Sequence, residues 1–301
     1  MTKMRSALCA IAKNEGPYVR EWIAYHLALG FDKIVIFDND STDGDLSVYS
    51  SARPGRVEVR HWPTQWGKAP QVPAYNKFLN EDGHLYDWIA FLDLDEFLNL
   101  KKHDSISAFL EAYNDYSAIA INWRMFGSSG LTENDGRLVT DRFDQASPVG
   151  FGPNAHVKTI FRPQCAESAD VHSPHLKNGS NLVNTNKLIL KSEANGLQLD
   201  IVLDTAQINH YFTKSYEEFR KKRMRGRADV AIGEDDKYRT EKDFKDYDIN
   251  SEVDRSIHRF RESMLREYAR LSAAPAPFRA LDFLRRKLGL SGLGAKKQGR
   301  P

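Results

Sequence analysis

Three short apolar runs, residues 6–12, 33–37 and 88–92, each stop abruptly at polar residues: Lys13-Asn14-Glu15, the stretch from Asp38 through Asp43, and Asp93-Leu94-Asp95-Glu96. Runs this short, apolar without alternation, read as strands covered on both faces. After the first, Val19, Trp22, Ile23 and Leu27 fall at helical spacing, and Gly30 supplies the stop. A third strand over 57–60, a helix over 72–79, a helix over 105–113 and a strand over 118–123 continue the alternation. Strand, helix, strand, repeated, predicts an α/β fold with a mostly parallel central sheet flanked by helices. Such sheets take ligands at the carboxyl ends of their strands, so the three polar clusters should converge there.

Beyond residue 124 the chain is rich in Gly, Asn, Ser and Pro up to about residue 200, which predicts loops and short strands. Helices are expected over 215–227 and 251–272, then a linker over 273–277. The net charge is only +2, so nothing in the totals favours nucleic acid as a partner. The sign is unevenly spread: residues 201–301 carry 23 basic against 16 acidic side chains. Two cysteines, Cys9 and Cys165, are too few for a disulfide framework and fit a reducing, cytoplasmic setting. The first twelve residues read as a strand rather than a leader, and no apolar run is long enough to span a membrane. Residues 278–301 hold seven basic residues against one acidic, and Phe278, Leu281, Leu284 and Leu288 form an apolar stripe beside them. That pattern suits either a helix lying on an anionic membrane face or one docked on the protein with a basic tail.

The sharpest chemistry lies at Asp93 and Asp95. A buried strand delivers two carboxylates, one residue apart, to the sheet end, where they can share a divalent cation that also grips a diphosphate. Glu96 adds a third acid, and three negative charges so close are costly without a cation. No Gly-x-Gly-x-x-Gly follows the first strand, and Trp66-Gly67-Lys68 lacks the rest of a phosphate loop, which argues against dinucleotide and P-loop enzymes. A phosphohydrolase with Asp93 as nucleophile and a non-catalytic carbohydrate-binding module stay open as alternatives. Lys214, Arg223 and Arg225, on or beside the helix over 215–227, are candidates to neutralise a diphosphate leaving group.

Four motifs in order, Ala10-Ile11-Ala12-Lys13-Asn14-Glu15, Glu21-Trp22-Ile23-Ala24-Tyr25-His26 with Gly30, Ile36-Phe37-Asp38-Asn39-Asp40-Ser41-Thr42-Asp43 and Phe91-Leu92-Asp93-Leu94-Asp95-Glu96-Phe97, resemble the family-2-like glycosyltransferases, close to the branch that shades into family 92. The resemblance covers roughly residues 5–125, with a weaker echo from Asn209 through Phe219. It implies a type-A glycosyltransferase fold: a catalytic domain over 1–230, with a nucleotide-sugar half at 1–125 and an acceptor half at 126–230, a helical extension at 231–274 and a basic amphipathic tail at 275–301. By the same resemblance, Asn14, Glu15, Asp38 and Asn39 would hold the nucleoside, Asp93 and Asp95 a Mn²⁺ or Mg²⁺ ion on the diphosphate, and Lys68, Gln71 and Asn76 the donor sugar or ribose. Where the family pattern has two acids this chain has Asp38-Asn39, and an Asn amide can pair with a uracil edge. A late His would complete the metal site, His210 first and His175 second. The expected reaction is inverting transfer from a nucleoside-diphosphate sugar, a UDP-sugar by preference, to a glycan or glycolipid acceptor at the inner face of the membrane. Its base would be a carboxylate, Asp170 ahead of Glu167, Glu193 and Asp204, because Asp170 lies beside His172 and His175 in sequence.

Overall fold

The computed structural model describes residues 4–190, 196–231 and 239–272. In chain order its first half comprises β1 (Ser6–Ala12), α1 (Gly16–Leu29), β2 (Lys33–Asp38), α2 (Val48–Ala52), β3 (Val57–His61), α3 (Gln71–Asp82), β4 (Trp88–Phe91), β5 (Glu96–Leu100), α4 (Ile106–Glu111) and β6 (Ala118–Met125). The second half adds α5 (Val139–Arg142), β7 (Gln145–Ala146), β8 (Val157–Phe161), β9 (Ala166–Ser168), β10 (His175–Leu176), β11 (Leu182–Asn184), β12 (Ile189–Leu190), β13 (Ala206–His210), α6 (Tyr216–Arg225), α7 (Glu241–Tyr247), β14 (Glu252–Val253) and α8 (Arg261–Ser272).

β1 is buried along its whole length, as its uninterrupted apolar sequence requires. Its alternate side chains feed two cores: Leu8, Ala10 and Ala12 join one, while Ala7, Cys9 and Ile11 join the other. Trp22, Ile23 and Leu27 of α1 and Met264 and Leu271 of α8 fill the first core; Ala74, Tyr75 and Phe78 of α3 fill the second. Each of the larger side chains is worth about 1.5–3 kcal/mol when taken fully from water. Gly30 closes α1 in the left-handed region at φ 102°, which a side chain there would strain.

The main sheet runs β12-β11-β6-β8-β4-β1-β2-β3. β1 pairs in parallel with β2 and β4, and β2 with β3, as the alternation predicts. β8 lies between β4 and β6 and is antiparallel to both, so the sheet is mixed at its centre. Past the turn at 92–95 the chain enters β5, which pairs antiparallel with β13, and β13 runs parallel to β6. The register sets His210 opposite Glu96, one residue from Asp95.

The segment 251–272, expected as one helix, is broken: Glu252 and Val253 pair with β7, Ser256–Phe260 forms a 3₁₀ turn, and only then does α8 start. Asp254 explains the break, because its carboxylate accepts from the amide of Ser256 at 2.9 Å and from Gln207 Nε2 at 2.9 Å. Ile257, Phe260, Met264 and Leu271 are all buried in the first core. Among the described residues no helix is long and apolar enough to cross a membrane. The linker over 273–277 and the basic stretch 278–301 lie outside the described residues.

Candidate functional site

A cavity of about 420 Å³ opens where β1, β2, β4, β6 and β13 end, and α6 forms one wall. The three polar clusters do converge, with Glu15, Asn39, Asp93 and Asp95 in its lining. Loop-to-loop hydrogen bonds hold them there. Asn14, at φ 51°, accepts from the amide of Thr42 at 2.7 Å, and its own amide donates to Ser41 Oγ at 3.0 Å. Asp38 accepts from the amide of Ser41 at 3.1 Å, and buried Asn39 donates to the carbonyl of Trp62 at 2.9 Å. Asn14 and Asp38 therefore shape the loops, whereas Glu15 and Asn39 line the cavity.

At the cavity floor the acids are already matched by cations. Asp93 Oδ1 accepts from Gln71 Nε2 at 2.6 Å and from the Tyr75 hydroxyl at 3.3 Å, while Oδ2 lies 3.1 Å from Lys158 Nζ. Lys158, fully buried on β8, also pairs with Glu96 at 3.2 Å and donates to the carbonyl of Val171 at 3.0 Å. Glu96 does not face the cavity: it turns inward and accepts from the amide of Asp93 at 2.8 Å. Burial pushes its carboxyl well above the usual carboxylate range. Burial works against the Lys158 ammonium too, yet Asp93 and Glu96 hold its pKa above the ordinary value. The concentration of three acids, expected to call for a metal, is thus balanced in part by a lysine from a distant strand.

Asp95 is buried. Its Oδ2 accepts from Lys222 Nζ and lies 3.5 Å from His210 Nε2. Burial alone would raise its pKa, but Lys222 and His210 hold the carboxyl well below the usual range. Burial in turn lowers Lys222 to about 8 and holds the His210 pKa below the ordinary imidazole value. His210 Nδ1 is buried with no partner among the described residues. Among those residues no three His, Cys, Asp or Glu side chains are gathered as a metal cluster. A carboxylate oxygen and a neutral imidazole nitrogen side by side are nevertheless donors that suit Mn²⁺ or Mg²⁺, with diphosphate oxygens and water completing the shell.

Helix α6 explains which of the basic residues matter. Ser215 and Glu218 form a capping box at its start, and Glu218 makes two 2.8 Å contacts with buried Arg142. That fixes the helix face: Lys222 and Arg225, three residues apart, line the cavity, while Arg220 and Lys221 point to solvent. Arg225 lies 2.6 Å from Glu15 and donates to the carbonyl of Asn14 at 3.0 Å, tying α6 to the loop after β1. Arg223 instead pairs with Glu241 at 2.9 Å, outside the lining, and buried Lys214 rests 4.4 Å over the ring of Tyr18. Arg239 joins the lining, donating to the carbonyl of Gly226 at 3.1 Å.

Other expected residues are placed elsewhere. Lys68 is exposed on its loop, and Asn76 braces α3 against the backbone of Ala169, donating at 2.9 Å and accepting at 2.9 Å. Asp170 and His175 are both exposed, 3.9 Å apart, and neither lines the cavity; Val171 and His172 do so instead. Asp170 Oδ1 accepts from the amide of Val171 at 2.7 Å. Asp170 thus lacks the position expected of a base in this cavity, and His175 that of a metal ligand. Glu167 and Asp204 are exposed as well, and Glu193 lies outside the described residues. Lys158 and Trp123 carry no local sequence signal for this site, and Lys222 belongs to the same run of basic residues as Lys214, Arg223 and Arg225, which were preferred over it. Trp123 stacks on His156 at 4.7 Å and meets His210 at 4.3 Å, presenting an aromatic wall beside the Asp95 floor.

The chain is 29% identical over 234 residues to a glycosyltransferase family 92 protein of Ricinus communis, covering 75% of this chain and 38% of that one. It is 28% identical over 221 residues to a family 92 protein of Oryza sativa subsp. japonica, covering 71% and 34%. It is also 29% identical over 136 residues to a galactan β-1,4-galactosyltransferase of Arabidopsis thaliana, covering 41% and 26%. The chain therefore spans little more than a third of the length of the curated relatives it matches. Among solved structures, glucosyl-3-phosphoglycerate synthase from Mycobacterium tuberculosis, in complex with Mn²⁺, UDP and glucosyl-3-phosphoglycerate, is 15% identical at a TM-score of 0.31, covering 54% of this chain and 58% of that one. The family model of glycosyltransferase family 92 matches residues 10–266, and the chain belongs to that family.

Proposed function

We propose that this chain is the catalytic unit of a glycosyltransferase that moves a hexosyl group from a nucleoside-diphosphate sugar, a UDP-sugar by preference, to a glycan or glycolipid hydroxyl with inversion. The observation that carries the reading is the pairing of Asp95 and His210 on one floor, walled by Lys222, Arg225 and Arg239, in a chain of family 92. Asn39 and Glu15, at the ends of β2 and β1, would hold the nucleoside end, and Gln71 with Asp93 the sugar or ribose side. Asp95 and His210 would hold Mn²⁺ or Mg²⁺, with Asp93 beside them. When bound, that ion supplies Lewis-acid stabilisation of the departing diphosphate.

Arg225 and Arg239 would meet the charge that develops as the diphosphate leaves; their guanidinium groups are fixed beforehand by Glu15 and by the carbonyl of Gly226, so little reorganisation is needed. The names of the galactan galactosyltransferase relatives make a β-linked galactosyl transfer the first to try. Residues 278–301 would bring the catalytic unit to an anionic, cytoplasmic membrane face. Membership of glycosyltransferase family 92 favours transfer over the phosphohydrolase alternative. Incubation with radiolabelled UDP-galactose, UDP-glucose and their GDP counterparts, Mn²⁺ and galactan oligosaccharides tests the proposal. With the label in the sugar, transfer from a UDP-sugar that Asp95→Asn abolishes is the expected result; label released only as free sugar or sugar phosphate would overturn it.

A further inference from the structure

We propose that the Lys222 ammonium is a resident counter-ion of Asp95, occupying the cation position until a divalent ion displaces it, so that this lysine sets how tightly metal alone is held. The inference rests on the reading of Asp95 and His210 as metal ligands. Asp95 Oδ2 is the oxygen that Lys222 Nζ contacts, and it is also the one His210 Nε2 approaches at 3.5 Å. An ammonium and a divalent cation cannot both sit against one buried carboxylate oxygen, because like charges repel strongly where little water screens them. One must leave.

The two buried lysines of the site differ in how firmly they are held. Lys158 has three acceptors, Asp93, Glu96 and the carbonyl of Val171, on the middle strand of the sheet. Lys222 has Asp95 and a single carbonyl, that of Phe212 at 3.1 Å, and hangs from a helix beside the cavity with its ammonium 4.5 Å from the Phe212 ring. Its four-carbon stem can swing into the cavity, where a diphosphate would offer new acceptors. Metal binding at Asp95 then carries the cost of moving Lys222, and that cost falls when a diphosphate arrives with the metal.

The test is binding of Mn²⁺ alone to the full chain, read by the electron paramagnetic resonance signal of free Mn²⁺, for wild type, Lys222→Met, Lys222→Arg and Asp95→Asn. Lys222→Met should bind Mn²⁺ about tenfold more tightly or better, since a unit charge beside the site is gone. Lys222→Arg, which keeps the charge, should stay within about threefold of wild type on the same argument. Asp95→Asn should abolish binding. In Lys222→Met without metal the buried Asp95 is left uncompensated, so its melting midpoint should fall and Mn²⁺ should restore it. If Lys222→Met does not fold, Lys222→Gln carries the same expectation. Affinity in the folded Met or Gln variant no higher than wild type, or a tightening in Lys222→Arg equal to that in Lys222→Met, overturns the proposal while loss of binding in Asp95→Asn leaves the metal reading standing. Undiminished binding in Asp95→Asn would instead remove the metal reading, and the proposal with it.

Discussion

Asp93 and Glu96 share Lys158, and Asp95 meets Lys222; together these contacts decide the electrostatics of the site. The acids were legible because they follow one another in sequence at the end of an apolar strand. Their cations come from β8 and α6, more than sixty residues away, and nothing in a local pattern links them. A hint existed at Lys158, a lone charge inside Val-Lys-Thr-Ile-Phe, where a buried strand tolerates lysine only with a partner. Removing it by Lys158→Met should leave acid groups uncompensated and cost about 3–5 kcal/mol of stability in urea unfolding. A loss below 1 kcal/mol would show that Asp93 and Glu96 do not depend on it. Glu218 gives a pH dependence of known sign. Burial opposes its charge, but Arg142 and Ser215 lower its pKa from 4.5 to about 2. A depressed carboxylate contributes stability that is full above 4.5 and is lost as the pH falls toward 2, here about 3 kcal/mol. Glu218→Gln should therefore lower stability at pH 7 and flatten its decline between pH 4.5 and 2; an unchanged acid limb would contradict the pairing.

At the scale of elements, α6 shows what periodicity can and cannot deliver. Of Lys214, Arg223 and Arg225, all expected at a leaving diphosphate, only Arg225 lines the cavity, while Arg223 faces Glu241. The capping box, the Glu218 contact to Arg142 and the buried ring of Phe219 against Phe212 and Phe244 fix which face turns inward, and Arg142 lies in a part of the sequence with no strong pattern. Arg225→Lys keeps the charge but loses the paired contacts to Glu15 and Asn14, so kcat/KM should fall by about tenfold or more with little change in melting. Arg220→Ala on the outer face should stay within about twofold. Equal losses for the two variants would dissolve the distinction between the faces. The pair Asp170 and His175 failed to reach the cavity for a related reason: closeness in sequence on a loop says nothing of which way the backbone turns.

For the whole molecule, β1, α1, β2, β3, α3, β4, α4 and β6 were readable in order because β1, β2, β4 and β6 are buried almost throughout and α1, α3 and α4 carry apolar stripes; α2, with no buried residue, and β5 were not. The antiparallel β8 and the β5, β13 and β6 pairing were not, since both depend on contacts between distant segments. The same holds for residues 257–271, which close the first core against α1. Truncation after residue 255 would expose Ile257, Phe260, Met264 and Leu271, each worth about 1.5–3 kcal/mol, and should yield no folded protein. Truncation after residue 272 should keep the melting midpoint of the full chain while losing flotation with phosphatidylserine vesicles; retained flotation would sink the membrane role of 278–301.

Calorimetric titration of UDP into the full chain, with and without Mn²⁺, in wild type and Asp95→Asn, asks whether the cavity at the strand ends is the metal-dependent nucleoside-diphosphate site proposed above. Binding should strengthen with Mn²⁺ in wild type and lose that dependence in Asp95→Asn. UDP affinity unaffected by Mn²⁺, or equal metal dependence in the two proteins, would rule that site out.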